Sequence, residues 1–289
     1  MSSLRETKNR IRSVKNTEKI TKAMKMVAAS KLRRAQEAVI KPRPFARKLE
    51  SIIKHLAAKS LSSDTPHPLL MPRSTKKRAE ILVLSSDRGL CGALNSSVVR
   101  ATQNFLAERR DQFSEVVIST IGKKGFEGLT RLGFPIRMNY LPENKIYGFS
   151  LAQKVAEEMC QRFLNNEVDA IYLVYNEFKS AITQVVVIDQ LLPIENPATE
   201  ALNDQIDFLY EPDAPELLDK LVPKHFATKL FQSFLESYAS EQGARMTAMD
   251  NATRNAKEMT DRLTLEYNRA RQAAITKELM EIIGGAEAL

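Results

Sequence analysis

Apolar residues near the start of the chain fall at Ile20, Met24, Ala28, Leu32, Ala35 and Val39, always three or four positions apart. That spacing predicts one buried stripe along a helix. Residues 3–41 contain neither Gly nor Pro and are rich in Ala, Lys, Arg, Met and Glu, so a single helix of about 58 Å is expected. Met26 lies two residues from Met24 and points nearly the opposite way, which gives the helix apolar contacts on two faces. Pro42 and Pro44 predict a break, after which KPRPFARKLESIIKHLAAK resumes a helical pattern and SLSSDTPHPLLMPRSTKKR reads as a loop.

The pattern then changes. AEILVLSS, EVVISTIG, DAIYLVYNEF and TQVVVIDQLL are β-branched runs bounded by turn residues, and SSVVRATQNFLAERR and SLAQKVAEEMCQRFL between them are amphipathic helices. Strands alternating with helices predict an α/β layer with a mostly parallel sheet. The short KSAI link between the last two strands permits only a hairpin, so that edge is expected to be antiparallel. From Lys224 to Ile283 there is no Pro and one Gly, Gly243, which predicts a second helix of about 90 Å. Along it Met249, Ala252, Ala256, Met259, Leu263, Glu266, Ala270, Ala273, Lys277 and Met280 alternate steps of three and four. A 3.5-residue repeat predicts a supercoil with a partner helix, and the many alanines predict a close approach. The obvious partner is the N-terminal helix, running antiparallel. The chain thus divides into a helical strand at 1–60, a linker at 61–78, a central α/β domain at 79–195, a connector at 196–215 and a second helical strand at 216–289.

Charge sharpens this division. Residues 1–78 carry 21 Lys plus Arg against 5 Asp plus Glu, within a chain whose net charge is +8. Residues 1–41 hold 12 basic and 3 acidic side chains, whereas residues 244–289 hold 7 of each. A neutral partner helix does not neutralise the basic one, so an external acidic surface is expected: nucleic acid, an anionic membrane or an acidic protein. Lys15, Lys19 and Lys22 form a stripe that suits phosphates. Residues 1–41 contain no aromatic side chain to stack a base, and Ala28 and Ala35 are small for a membrane-bound face.

Candidate chemistry is sparse. No apolar run approaches the roughly 18 residues of a membrane span. MSSLRETKNRI lacks the apolar core of a signal peptide, so the chain as given is not expected to be exported. Cys91 and Cys160 read as reduced buried thiols, and His55, His67 and His225 sit at no metal-ligand spacing. SSDRGLCGALN, with Gly89 and Gly92 between a strand end and a helix start, resembles a phosphate loop. Neither GxGxxG nor GxxxxGK[ST] is present, and GKKGFEG has its lysines too early. The plainer reading is a tight strand-to-helix turn with Asp87 and Asn95 as local caps. GxSxG and HExxH are also missing, so no catalytic constellation emerges. A small nucleotide-binding enzyme centred on Asp87 to Asn95 and a nucleic-acid-binding coiled coil remain as alternatives.

Three segments together carry a resemblance: KNTEKITKAMKMVAASKLRRAQ near the start, SSDRGLCGALNSSV after the first central strand, and ARMTAMDNATRNAKEM with LTLEYNRARQAAITKELMEIIGGAEAL at the end. In order, in spacing and over nearly the whole length, they resemble the signature segments of the gamma subunit of F-type ATP synthases. The resemblance implies an α/β protein: a long antiparallel coiled coil of the N- and C-terminal helices plus a central Rossmann-like α/β domain with a mixed, mostly parallel sheet. It also implies a rotor shaft within a ring of three alpha and three beta subunits, with the α/β domain meeting the epsilon subunit and the membrane c-ring. Nucleotide sites in that family lie on the ring, so no catalytic residue, metal or cofactor is expected here.

By the same resemblance Lys19, Lys22, Met24 and Lys25 match the segment that meets acidic lever loops of beta. Arg271, Gln272, Thr276 and Glu278 match polar positions that hydrogen-bond to beta catch loops, and Ile282, Ile283 and Leu289 match the tip that turns in an apolar bearing. The redox insert of chloroplast forms and a mitochondrial transit peptide are not seen, which points to a bacterial form on the cytoplasmic face of the inner membrane.

Overall fold

The computed structural model describes residues 4–61, 68–70, 73, 77–109, 111–142, 147–194 and 214–287. Most of the linker and connector expected at 61–78 and 196–215 lies outside the described residues. The described elements are α1 (Leu4–Ile40), α2 (Arg43–Leu61), β1 (Arg78–Leu84), α3 (Leu94–Glu108), β2 (Glu115–Ile121), α4 (Lys123–Arg131), β3 (Ile136–Tyr140), α5 (Phe149–Leu164), β4 (Ala170–Phe178), β5 (Gln184–Leu192) and α6 (Ala214–Glu287). Two compact units contain them, one of Met1–Ser30 with Arg245–Leu289 and one of Lys31–Ala244. The helices α1 and α6 each contribute to both.

In the larger unit the sheet runs β3-β2-β1-β4-β5. β1 pairs in parallel with β2 and β4, β2 in parallel with β3, and β4 antiparallel with β5, as the short link at 179–182 requires. The β1 side chains alternate between two cores. Leu82 and Leu84 join Val155, Met159 and Phe163 of α5 and Leu218, Phe226 and Leu230 of α6. Ile81 and Val83 join Val98 and Phe105 of α3 and Leu129 of α4. A sheet covered on both faces accounts for the nearly continuous apolar run of β1.

Two elements between β2 and α5 escape the sequence pattern. α4 is nine residues long and contains Gly125 and Gly128, which weaken its helical signal. Both are packing requirements: a Cβ on Gly125 would lie 2.8 Å from Ser85 Oγ, and one on Gly128 would lie 3.0 Å from Val99 Cγ2. β3 is five residues long and carries Arg137, whose guanidinium reaches back to Glu80 of β1. Glu80 is fully buried, held by Arg137 Nε at 2.9 Å, Arg162 Nε at 2.9 Å and the Ser119 hydroxyl at 2.6 Å. Two guanidiniums and a hydroxyl on one carboxylate satisfy a group that would otherwise be costly inside a sheet.

The break after α1 falls at Lys41 and Pro42, where the prolines require it. α6 begins at Ala214, upstream of Lys224, and carries Pro223 inside it. The missing amide of that proline removes one helical hydrogen bond, but Leu218, Val222, Phe226 and Leu230 on either side are all buried and hold the helix in place.

Candidate functional site: the helix-pair surface

In the smaller unit α1 and α6 run antiparallel, because Thr21 meets Thr253 while Lys25, one turn further along, meets Asp250, one turn earlier. The α1 seam passes through half-buried Leu4, Thr7, Ile11, Val14 and Glu18, buried Thr21, half-buried Met24 and buried Ala28, in steps of three and four. On α6 it passes through Met249, Thr253, Ala256, Thr260, Leu263 and half-buried Tyr267. The heptad spacing is the expected one, but six of the ten positions expected on α6 and one expected on α1 lie exposed. Ile20, expected on the stripe, is 59% exposed, with Thr21 buried in its place. Met259 is 46% exposed, and Thr260 takes the seam; Glu266, Ala270, Ala273, Lys277 and Met280 also lie exposed.

The reason is that threonine can be buried cheaply on a helix. The hydroxyls of Thr260 and Thr264 each donate to the carbonyl four residues back, to Ala256 and Thr260 respectively, and the Thr253 hydroxyl has the Met249 carbonyl within reach as one of two acceptors. With its hydroxyl folded onto its own helix, the side chain presents its methyl to the partner and packs much as valine would.

The cationic stretch divides in two. Lys19 and Lys22 are exposed, whereas Lys25 is half-buried with its Nζ 2.5 Å from Asp250 Oδ1. Hydrogen bonding from Lys25 holds the Asp250 carboxyl below the usual carboxylate range, with Arg254 adding attraction. The expectation that the partner helix leaves all the N-terminal cations uncompensated is therefore corrected at this one lysine. Met24 is half-buried against the seam, and Met26, at 61% exposure, faces away from it as its offset requires.

Towards the C-terminus the surface changes again. Extending the pairing residue for residue sets Leu4 of α1 opposite about residue 270 of α6. Past that point Arg271, Gln272, Thr276 and Glu278 are all exposed, the Thr276 hydroxyl donating to the Gln272 carbonyl at 2.9 Å. Ile275, Leu279, Met280, Ile282 and Ile283 are also exposed, with Ile282 at 72%. Leu289 lies outside the described residues. Sequence reasoning passed over Ile275 and Leu279, together with exposed Val27 and Leu265, because an apolar residue at helical spacing reads first as core.

The loop after β1 is a different kind of site. Three backbone donors around it are already occupied: Ser86 N–H by Asn95 Oδ1 at 3.0 Å, Lys123 N–H by Asp87 Oδ1 at 3.1 Å and Gly125 N–H by the Ser85 hydroxyl at 2.7 Å. A carboxylate at the start of α4 also repels an anion there. Asp87 thus caps α4 rather than its own helix, and Asn95 ties the loop back to Ser86. At Gly122, with φ of 101°, an added Cβ would sit 2.2 Å from the Ser85 carbonyl oxygen, so the two strand ends meet there backbone to backbone. Burial pushes the Cys160 thiol up to about 12, with Glu157 adding to the effect, so it is a core side chain and not a nucleophile. Among the described residues no group of His, Cys, Asp and Glu could hold a metal ion, and no helix is long and apolar enough to cross a membrane.

Comparison with known proteins covers the full length. A family profile described as ATP synthase matches residues 3–289. The chain is 51% identical to the ATP synthase gamma chain of Anaeromyxobacter sp. strain K, covering all of both chains. It is 48% identical to that of Geobacter sp. strain M21, covering all of this chain and 99% of the relative. Among solved structures, the central stalk and c-ring assembly of Tetrahymena thermophila mitochondrial ATP synthase contains a chain 29% identical, with a TM-score of 0.62, over 81% of this chain and 99% of that one. A chain of the Euglena gracilis mitochondrial ATP synthase has the same fold, with a TM-score of 0.70 over 99% of this chain and 94% of that one at 24% identity. With an antiparallel helix pair and a mixed five-stranded sheet, a family profile matched over residues 3–289 and bacterial relatives about half identical over their full length, the chain belongs to the ATP synthase gamma chain family.

Proposed function

We propose that this chain is the central rotor shaft of an F-type ATP synthase. It couples proton-driven rotation of a membrane c-ring to sequential conformational changes in the catalytic beta subunits, and runs in reverse when ATP is hydrolysed. The shaft has no active site of its own and acts as a non-catalytic subunit. Its partners are three alpha and three beta subunits around the helix pair, an epsilon subunit and the c-ring. It sits peripherally, through the complex, on the cytoplasmic face of a bacterial inner membrane.

The observation that carries this reading is the exposed end of α6, where Ile275, Leu279, Met280, Ile282 and Ile283 face solvent beyond the stretch paired with the described part of α1. Apolar residues exposed at that density call for a surrounding sleeve. Within it the Ile282, Ile283 and Leu289 tip turns in an apolar bearing. Lys19, Lys22, Met24 and Lys25 pass acidic lever loops of beta, and Arg271, Gln272, Thr276 and Glu278 hydrogen-bond to its catch loops. Exposed ion pairs of this kind are worth about 1 kcal/mol or less each, weak enough to break as the shaft turns.

Co-expression with alpha and beta subunits tests the proposal. A complex whose ATPase activity requires this chain, and weakens when Lys19 and Lys22 are both replaced by alanine, is the expected result. A stable alpha and beta ring that never retains the chain would overturn it.

A further inference from the structure

Three carboxyl groups converge where α6 crosses the antiparallel edge of the sheet. Glu236 comes from α6, Glu177 from β4 and Asp189 from β5, and each of the two sheet carboxylates raises the proton affinity of Glu236. Two cations at this edge are engaged by the sheet carboxylates. Lys179 Nζ lies 2.7 Å from Glu177 Oε1, and Lys229 Nζ lies 3.2 Å from Asp189 Oδ2. The Tyr175 hydroxyl, on β4, donates to Asp189 Oδ2 at 3.5 Å. From α2, Arg43 attracts the Glu236 carboxylate, as Lys179 does, without either giving its Oε2 a hydrogen bond. Glu236 Oε2 is buried and accepts no hydrogen bond from the described residues.

The same turn of α6 is fastened to β4 by weaker polar contacts. The Ser240 hydroxyl donates to the Asn176 carbonyl at 3.2 Å, and the Asn176 N–H donates to the Ser237 hydroxyl at 3.4 Å. Beyond Glu236, Gly243 lies against the hairpin tip, where an added Cβ would come within 3.0 Å of the Ala181 carbonyl oxygen. The docking of α6 on this edge thus relies on close backbone approach, with the half-buried Glu236 carboxyl beside it and its Oε2 buried. A half-buried carboxylate whose Oε2 is buried without a donor, with two other carboxylates acting on it, is less favourable when ionised than when neutral.

We propose that Glu236 is a proton-operated latch: neutral, it lets α6 seat on the β4–β5 hairpin, and ionised, it loosens that seating. Burial, first, and Glu177, second, move its titration above the ordinary glutamate value of 4.5. Because the folded state holds this proton more tightly than the unfolded chain, the stabilisation is complete below about pH 4.5 and is lost as pH rises through the folded value. The segment affected lies within the larger unit, and α6 continues from it into the paired helices. The latch rests on the chain's own residues and holds whatever partners surround the shaft.

The test uses the full-length chain. Carboxyl NMR titration of Glu236 is read beside amide exchange of residues 233–240 and 184–192 across the same pH range, corrected for intrinsic exchange rates. The expected result is a Glu236 midpoint above 4.5, with protection of both segments falling by up to about tenfold per pH unit through that midpoint, the limit for one linked proton. Glu236→Gln should flatten that fall. Glu177→Gln, which removes a neighbouring charge and leaves the latch in place, should move it to lower pH, and this variant keeps the test decisive if Glu236→Gln fails to fold. A Glu236 midpoint at or below 4.5, a Glu236→Gln protection profile that superimposes on wild type, or an unmoved midpoint in Glu177→Gln would each overturn the proposal.

Discussion

Thr21 of α1 and Thr253 of α6 meet hydroxyl to hydroxyl at 2.8 Å across the helix pair. Thr21 donates its own proton to the Glu18 carbonyl at 3.0 Å, which leaves its oxygen free to accept from Thr253. Thr253 has the Met249 carbonyl as a second acceptor at 2.7 Å. The pair therefore offers a polar rung that ties the two sides of the seam together.

Replacing both threonines by valine should be nearly neutral or slightly stabilising, because both polar groups leave together. Each single Thr→Val change should cost about 1 kcal/mol, since one hydroxyl then loses its cross-helix partner. Urea denaturation of the four proteins in a double-mutant cycle should give a coupling of about 0.5–1.5 kcal/mol; additive single changes would mean that the hydroxyls are served by their own helices alone.

The Lys25–Asp250 contact predicts an acid-sensitive helix pair. Asp250 holds its proton less tightly when folded, so its contribution is present above the unfolded value near 3.8 and is lost as pH falls through the depressed folded value. Helix-pair protection, followed by amide exchange between about pH 2 and 5, should decline on acidification in the wild type and much less in Lys25→Met. Because both side chains are more than a third exposed, added salt should reduce the difference.

Asp87 accepts both the Lys123 N–H at 3.1 Å and the Tyr147 hydroxyl at 2.7 Å, and the Tyr147 ring packs edge-on against Phe234 of α6. Asp87→Ala removes a helix cap and strands the tyrosine hydroxyl together, so a loss of about 1–3 kcal/mol is expected by urea denaturation. Tyr147→Phe, which keeps the ring contact, should cost about 1 kcal/mol. Equal losses in the two variants would show that the cap contributes little.

At Glu80 the prediction separates breaking a buried ion network from replacing it. Glu80→Ala leaves the Arg137 and Arg162 guanidiniums facing a buried void and should cost about 3–5 kcal/mol. The triple change Glu80→Leu, Arg137→Met, Arg162→Met should recover much of that loss. Thermal unfolding of the two proteins distinguishes the outcomes; a triple variant no more stable than Glu80→Ala would mean that the charges themselves hold the edge strand in place.

The sequence by itself determined the α/β class, the mixed sheet with its antiparallel last strand, and two long antiparallel helices. Those features rest on periodicity, on β-branched runs and on where Pro and Gly fall, all of which are local. Only the tertiary structure decided the register of the helix pair. Spacings of three and four are satisfied equally by Met259 or Thr260, and by Ile20 or Thr21, and a hydropathy pattern prefers the first of each. Packing selected the threonines because each buried hydroxyl finds an acceptor on the helices, leaving a slim side chain that lets them approach. The same holds for Lys25, which sequence grouped with Lys19 and Lys22 and which the fold pairs with Asp250, 225 residues away. It holds too for the loop at Asp87, where glycine spacing suggested an open phosphate cradle. There the start of α4, invisible in the pattern because two glycines let it pack against β1 and α3, brings its own amides to the carboxylate. Local spacing sets which elements form, but which faces meet depends on partners far apart in the chain, and no local pattern contains them.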